Sequence, residues 1–313
     1  MTIVNVPSAE KLNDFALVLY FDAWERLHDI YEAFYLTYPD GISSWTDEWK
    51  DYVEVSSRDF ETIINLVAQS AEISMKSKLC AVSPFLLLLG QGASFKKVDG
   101  ELDFSDLRTI DSVDLPGAVN TFCPEKLTDS FIQDFNKLRR LRNKSVHLGA
   151  TSESIDPVFV VDALVNFFDY LWGDGNFLVE WVRIASRGRY SFFHDGENGN
   201  AHATVFENFD LISEIITKGQ FKRLTGISKS TRRYFCFDCI SEGRTDYEDW
   251  LSRDNTRTAY LVKGTNQIEC FMCRKRFDIV REKCGKNNCP GDVVSSPEIE
   301  CDYHCHTCGR DRD

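Results

Sequence analysis

The stretch Phe131-Ile-Gln-Asp-Phe135-Asn-Lys-Leu-Arg-Arg-Leu-Arg142-Asn-Lys-Ser-Val-His147-Leu-Gly149 decides how the first half of the chain is read. At 100° per residue, Phe131, Phe135, Leu138, Leu141 and Leu148 share one side of a helix. Asn136, Arg139, Arg140, Asn143 and His147 share the other, with Asn143 and His147 stacked four residues apart. A basic solvent face and a final-turn histidine against the helix dipole account for most of this pattern. Arg142 does not fit it. It falls at the edge of the apolar stripe, near Phe135 and Val146, where a permanent charge needs a carboxylate or an anion beside it.

The neighbouring segments read the same way. Residues 8–38 carry Phe15, Leu17, Leu19, Tyr20, Trp24, Leu27, Ile30, Tyr31 and Phe34 at helical spacing, closed by Pro39-Asp40-Gly41. Ser57 is expected to cap a second helix with Phe60, Ile63, Ile64, Val67, Ala71, Ile73 and Leu79 inside, interrupted at Pro84. Residues 90–122 read as a polar surface connection. The third long helix is expected from Glu125, after Pro124, to Leu148. Asp156-Pro157 opens a fourth, stopped at Gly173. Beyond it, Arg189–Phe193 and Ala203–Phe206 alternate around Asp195-Gly196 and Asn198-Gly199, which predicts a hairpin. Phe209–Ile216 reads as a short helix. His194 and His202, in the hairpin region, have no arrangement with cysteines or acids and read as ordinary turn residues, and His28 on the first helix reads as a packed or surface histidine.

The 313 residues carry a net charge of −13, which excludes a non-specific coat on nucleic acid. The charge is unevenly placed. Residues 1–60 hold twelve acidic and four basic side chains. Lys218–Tyr234 holds Lys218, Lys222, Arg223, Lys229, Arg232 and Arg233 with no acid, and Lys137–His147 holds five more cations. Two basic islands on an acidic body point to a bounded anion site. No apolar run approaches the roughly 18 residues of a membrane span, and residues 1–14 lack the basic-then-apolar pattern of a secretory signal. The expectation is a soluble cytoplasmic protein with no membrane partner. Nor is there a phosphate-binding glycine loop, a dinucleotide fingerprint or a G-x-S-x-G elbow.

Of eleven cysteines, Cys80 and Cys123 sit alone in apolar settings and read as small buried hydrophobes. The other nine crowd into 236–308. In a reducing compartment such clustering means metal ligands. Cys236-x2-Cys239 and Cys270-x2-Cys273, thirty residues apart around a hairpin with Gly264-Thr265-Asn266 at its turn, have the spacing of a zinc ribbon. Cys284-x4-Cys289 and Cys305-x2-Cys308 form a second set, with Cys301, His304 and His306 competing for places. The favoured assignment is Cys284, Cys289, Cys305 and Cys308. An interleaved arrangement, in which pairs one and three share a metal, fits the spacing as well. About two structural Zn²⁺ ions per chain are expected, since four-cysteine cages leave no open coordination position.

Arg142-Asn143-x3-His147, near the end of a long third helix, resembles the R-x4–6-H motif of the HEPN superfamily. Ala71-Glu72-Ile-Ser-Met-Lys76 is similar to the E-x3-K helix that precedes the motif helix in several HEPN families. The resemblance covers residues 8–173. It implies an all-α up-and-down bundle and a metal-independent endoribonuclease, of the kind found in prokaryotic defence and toxin systems. In that reading His147 is the general base or acid, Arg142 stabilises charge on phosphorus, and Asn143 orients one of them. Arg142 and His147 lie 5 × 100° apart on one helix, about 140° after a full turn, so a composite site across a homodimer is expected. The RNA would meet Arg139, Arg140, Lys144, Lys222, Arg223, Arg232 and Arg233. A regulatory protein or antitoxin is a further expected partner. The alternative is a catalytically inactive HEPN dimer whose zinc ribbons bind nucleic acid or protein.

The expected fold is therefore mainly α. A helical bundle occupies residues 1–175, a small connecting hairpin/helix segment with the basic run 176–230, and a tandem four-cysteine zinc-ribbon region 231–313.

Overall fold

The computed structural model describes residues 2–88, 100–148, 155–173, 176–188, 201–243, 252, 254–296 and 304–310. Side chains at 145–148 and 254 lie outside that description. The chain is mainly helical with a small C-terminal sheet, and it divides into two compact units, Met1–Trp172 and Gly173–Asp313.

The first unit opens with β1 (Thr2–Val4), which pairs in parallel with β2 (Glu101–Asp103). Helix α1 (Ala9–Thr37) starts where the Ser8 hydroxyl accepts from the Lys11 N–H. A short α2 (Thr46–Val55), not anticipated as a separate element, runs almost directly into α3 (Ser57–Val82). Ser56, without a side-chain cap bond, takes the position expected of Ser57. The supposed surface connection contains α4 (Leu115–Phe122), which buries Leu115, Pro116 and Val119. The unit ends with α5 (Asp129–Leu148) and α6 (Pro157–Leu171), the latter capped by Asp156 Oδ1 on the Val158 N–H at 2.9 Å.

Helix α5 begins four residues later than expected. Asn120 Oδ1 accepts the Leu127 N–H at 2.7 Å, and Lys126 Nζ donates to the carbonyls of Asn120 and Cys123. These bonds hold 123–128 out of helical geometry, and the Thr128 hydroxyl then accepts from the Phe131 N–H.

Cross-helix bonds fix the helix directions. Ala16 O accepts from Ser70 and Ala9 O from Ser77, so α1 and α3 run antiparallel. Glu72–Arg142, with Lys78–Glu125 just ahead of the helix start, does the same for α3 and α5. Asp134–Asn166 with Ser130–Tyr170 does so for α5 and α6, and Tyr20–Leu164 with Asn13–Trp172 for α6 and α1. The four long helices thus form an antiparallel bundle. Its core is aromatic, with Tyr20, Phe21, Trp24, Phe34, Phe60, Phe131, Phe135, Phe167 and Phe168 all under 2% exposed.

The second unit begins with α7 (Phe177–Ala185), α8 (Ala201–Ile215) and α9 (Lys218–Thr225). Here the hairpin expectation fails. Ala203–Phe206 is helical, and the remaining segment, 189–200, lies outside the described residues. Val205, Phe209, Ile212 and Ile216 are buried at helical spacing, and that longer stripe overrides the four-residue alternation. After α10 (Phe237–Gly243) come β3 (Ala259–Leu261), β4 (Gln267–Cys270), β5 (Arg276–Arg281) and β6 (Val293–Ser295). They form an antiparallel sheet in that order, with Ala259 opposite Cys270 and Val280 opposite Val294. Phe271, at the end of the β3–β4 hairpin, meets Phe209 of α8 and Phe221 of α9 with ring centroids 6.2 and 6.1 Å away. The helices of 201–225 are therefore packed on the cysteine-bearing sheet.

Candidate metal centres and the Arg142 site

In the first unit, α3 and α5 bring three charged groups together. Arg142 Nη1 lies 3.0 Å from Glu72 Oε2, and Lys76 Nζ lies 3.0 Å from Glu72 Oε1. The carboxylate that the core-edge guanidinium required is thus Glu72. All three side chains are about 20% exposed. Burial pushes the Glu72 carboxyl up, but Lys76 and Arg142 together outweigh it and hold it below the ordinary carboxylate range. A guanidinium has five N–H donors, and Glu72 takes one of Arg142's. Asn143 follows, half-buried, and Lys144 is exposed. The His147 side chain lies outside the described residues, although its backbone continues the helix.

One face of α5 lines an open groove of 670 Å³ with Gln133, Asp134, Asn136, Lys137, Arg139 and Arg140. Arg139 Nη2 reaches Asn136 Oδ1 at 3.5 Å, and Lys137 sits 3.6 Å above the Phe159 ring. Arg140 is exposed.

The basic run of the second unit splits in two. Lys222, Arg223 and Arg232 are exposed. Lys229 and Arg233 are engaged internally. Lys229 Nζ donates to the carbonyls of Ser213 and Ile216 near the end of α8. Arg233 donates to Asn255 Oδ1 at 3.0 Å and lies 5.5 Å from the Phe221 ring centre. Nothing in the residue types distinguished these two cations from their exposed neighbours.

The eight expected cysteines assemble into two separate cages, Cys236/Cys239/Cys270/Cys273 and Cys284/Cys289/Cys305/Cys308. Within each, the Sγ atoms lie within 4.8 Å of one another. Sulfur pairs stand 3.7 and 3.6 Å apart in the first cage, 3.8 and 3.9 Å in the second. A zinc tetrahedron with Zn–S bonds of about 2.3 Å has edges of about 3.8 Å, so both donor sets fit that ion. The pairing is sequential, and the interleaved arrangement is not adopted. All eight thiols are free of disulfides.

Both cages use one backbone knuckle. In the first, the Arg274 N–H donates to Cys270 O at 2.9 Å and the Cys270 N–H to Lys275 O at 3.0 Å. In the second, the Gly309 N–H donates to Cys305 O at 2.8 Å and the Cys305 N–H to Arg310 O at 3.0 Å. The turn needs a left-handed residue after its second cysteine. Gly309 supplies it with φ of 73°, and Arg274 adopts it at 61°. Amides of Met272 and Cys273 point at Cys270 Sγ, and that of Gly291 at Cys289 Sγ. Such donors favour thiolate. Hydrogen bonds from Cys236, Cys239 and Cys270 hold the Cys273 thiol far below its ordinary range.

His306 is excluded as a ligand by its bonds. Nδ1 lies 2.9 Å from Phe235 O and Nε2 3.1 Å from Ser295 Oγ, and burial pushes its pKa down to about 4. His304 is also buried and stands outside both cages, and Cys301 lies outside the described residues. Cys80 and Cys123 are buried as expected. His28 stands with Asp29 and Glu32 in a third group whose possible ligand atoms lie within 4.8 Å of one another, with both carboxylates open to solvent. Among the described residues no helix is long and apolar enough to cross a membrane. No family model, curated protein or solved structure matches this chain.

Proposed function

We propose that the chain is a HEPN-type endoribonuclease that cuts RNA without a catalytic metal, its two cysteine cages holding structural zinc. The observation carrying this reading is the Glu72–Arg142 pair beside Lys76, which joins the E-x3-K and R-x4-H elements of the resemblance at one place. Glu72 fixes one edge of the guanidinium, leaving further N–H donors to meet a phosphate. In the reaction, a ribose 2′-oxygen attacks the adjacent phosphorus and gives up its proton to a base. The P–O5′ bond breaks, and the departing 5′-oxygen takes a proton from an acid. The products are a 2′,3′-cyclic phosphate and a 5′-hydroxyl. His147 serves one of these proton transfers, its unperturbed pKa near 6.5 suiting either, and its counterpart comes from a second copy of the bundle. The groove along α5 and the exposed Lys144 hold the strand, and the exposed Lys222, Arg223 and Arg232 of the second unit make RNA contacts of their own. A cytoplasmic defence or toxin role under a regulatory partner agrees with this chemistry.

A second reading rests on the same contact. Arg142 already has a carboxylate partner, as it would in an inactive bundle that dimerises and binds nucleic acid or protein through its ribbons. End-group analysis of RNA incubated with the purified zinc-loaded protein separates the two. Cyclic phosphate ends that vanish in His147→Ala support the nuclease, and binding without cleavage supports the module.

A further inference from the structure

The two cysteine cages are tied together at one point of the backbone. Phe235 immediately precedes Cys236 of the first cage, and His306 immediately follows Cys305 of the second. The Phe235 N–H donates to His306 O at 2.8 Å, and the ring Nδ1 of His306 sits 2.9 Å from Phe235 O. The other ring nitrogen, Nε2, lies 3.1 Å from Ser295 Oγ at the end of β6. His306 is 1% exposed and Phe235 fully buried.

These bonds also close the sheet. Tyr234 bridges the outer edge of β3 at Ala259, and Cys305 bridges the outer edge of β6 at Val294. The Phe235–His306 bond joins those two additions. The hydrogen-bonded order therefore runs β3, β4, β5, β6, residues 304–306, residues 234–235 and back to β3. Strand β5 makes a second link, since it starts three residues after Cys273 and ends three before Cys284. The segments that position the two cages are thus joined at Phe235 and His306 and again through β5.

We propose that the two cages bind metal cooperatively, with Phe235 and His306 as the coupling residues. Strands of three to six residues do not hold themselves in water, so without metal the ring is poorly ordered. The first ion to bind orders the shared segments. The second then meets ligands already in place and avoids that ordering cost. The coupling is reciprocal, with a strength of roughly 5–150-fold in affinity. The inference rests on the zinc reading and is independent of the nuclease reading.

The test titrates full-length metal-free protein with Co²⁺, whose thiolate absorption counts occupied cages, and then with Zn²⁺. Cys308→Ser disables the second cage and should weaken Co²⁺ binding at the first by roughly 5–150-fold. His306→Asn keeps a side-chain N–H near the Nδ1 position and should preserve most of the coupling. His306→Phe removes both ring bonds but leaves the backbone bond and β5, so the coupling should fall clearly below that of wild type. First-cage affinity within twofold of wild type in Cys308→Ser overturns the proposal, as does identical behaviour of His306→Phe and wild type. Should Cys308→Ser fail to fold, release from wild type into a chromophoric chelator decides. Coupled cages empty in one phase, and two phases with unrelated rates reject the coupling.

Discussion

Arg142 of α5 and Glu72 of α3, seventy residues apart in sequence, meet with Nη1 3.0 Å from Oε2, while Lys76 holds the other oxygen of the same carboxylate. Neither partner of the pair is more than a quarter exposed. Removing Glu72 leaves Arg142 partly buried without its carboxylate, and removing Arg142 leaves Glu72 with Lys76 alone. Arg142→Ala and Glu72→Gln should each destabilise the protein by about 1–3 kcal/mol in denaturant unfolding. The double variant should lose clearly less than the sum of the two. Strict additivity would mean that the contact contributes nothing to stability.

The pH dependence has a definite sign. The native Glu72 carboxyl is held below its ordinary value, so near and below pH 4.5 the unfolded chain binds more protons than the folded one. The contribution of Glu72 to stability is complete above that value and is lost as the pH falls through the depressed native value. Thermal melts of wild type should drop more steeply between pH 5 and pH 3 than those of Glu72→Gln, on the usual carboxylate scale. Parallel curves would reject the assignment.

Much of this architecture was legible in the sequence, for a physical reason. Long helices with wide apolar stripes, such as α1, α3, α5 and α6, repeat their signal over many turns. The cysteine pairs were legible because metal chemistry admits few spacings. Ala203–Phe206 misled because four residues of alternation match a strand and a buried helix equally well. The Arg142 environment was readable as a demand for a partner, but its identity depended on α3 packing seventy residues away. The division of the basic run was not legible. Lys229 and Arg233 differ from Lys222 and Arg232 only in what the fold sets beside them. His306 was open as a ligand until its two ring bonds were seen.

Gly291 tests the second cage without replacing a ligand. A Cβ built there would stand 2.4 Å from the Cβ of Thr307, which lies between Cys305 and Cys308. The Gly291 carbonyl also accepts the Cys284 N–H at 2.9 Å, and its own N–H points at Cys289 Sγ. Gly291→Ala must therefore push the knuckle away from its partner loop. Wild type should contain about two zinc ions per chain by elemental analysis. Gly291→Ala should contain fewer, and should melt earlier by circular dichroism at equal zinc. Unchanged zinc content would show that the knuckle yields at no cost.

The cations of the basic run should separate into two classes. Lys229→Met removes the ammonium bonded to the Ser213 and Ile216 carbonyls, and Arg233→Met removes the donor to Asn255. Each should lower stability by about 1–3 kcal/mol, as expected for hydrogen bonds from charged groups. Lys222→Ala with Arg232→Ala should leave the melting temperature nearly unchanged. It should instead weaken RNA binding and flatten the salt dependence by roughly one unit of slope per lost phosphate contact. Filter-binding across a salt series, paired with melts, reads both. RNA affinity unchanged in the surface pair would remove this segment from the binding surface.

The catalytic proposal predicts different behaviour at its two main residues. His147 would act only through proton transfer, so His147→Ala should reduce cleavage roughly 10²–10⁴-fold. Arg142 has two roles in this reading, as partner of Glu72 and as donor to the phosphate. Arg142→Lys keeps the charge but loses the planar fork, so part of the stability should survive while cleavage falls by roughly 10²–10³-fold. Glu72→Gln should impair cleavage less than Arg142→Ala, because the guanidinium remains but loses its orientation. Single-turnover cleavage of a labelled RNA, with zinc content verified in every variant, measures these ratios. Full activity in His147→Ala would end the mechanism. Arg142→Lys losing activity only in proportion to its folded fraction would assign Arg142 a structural role and leave the binding module as the function of the chain.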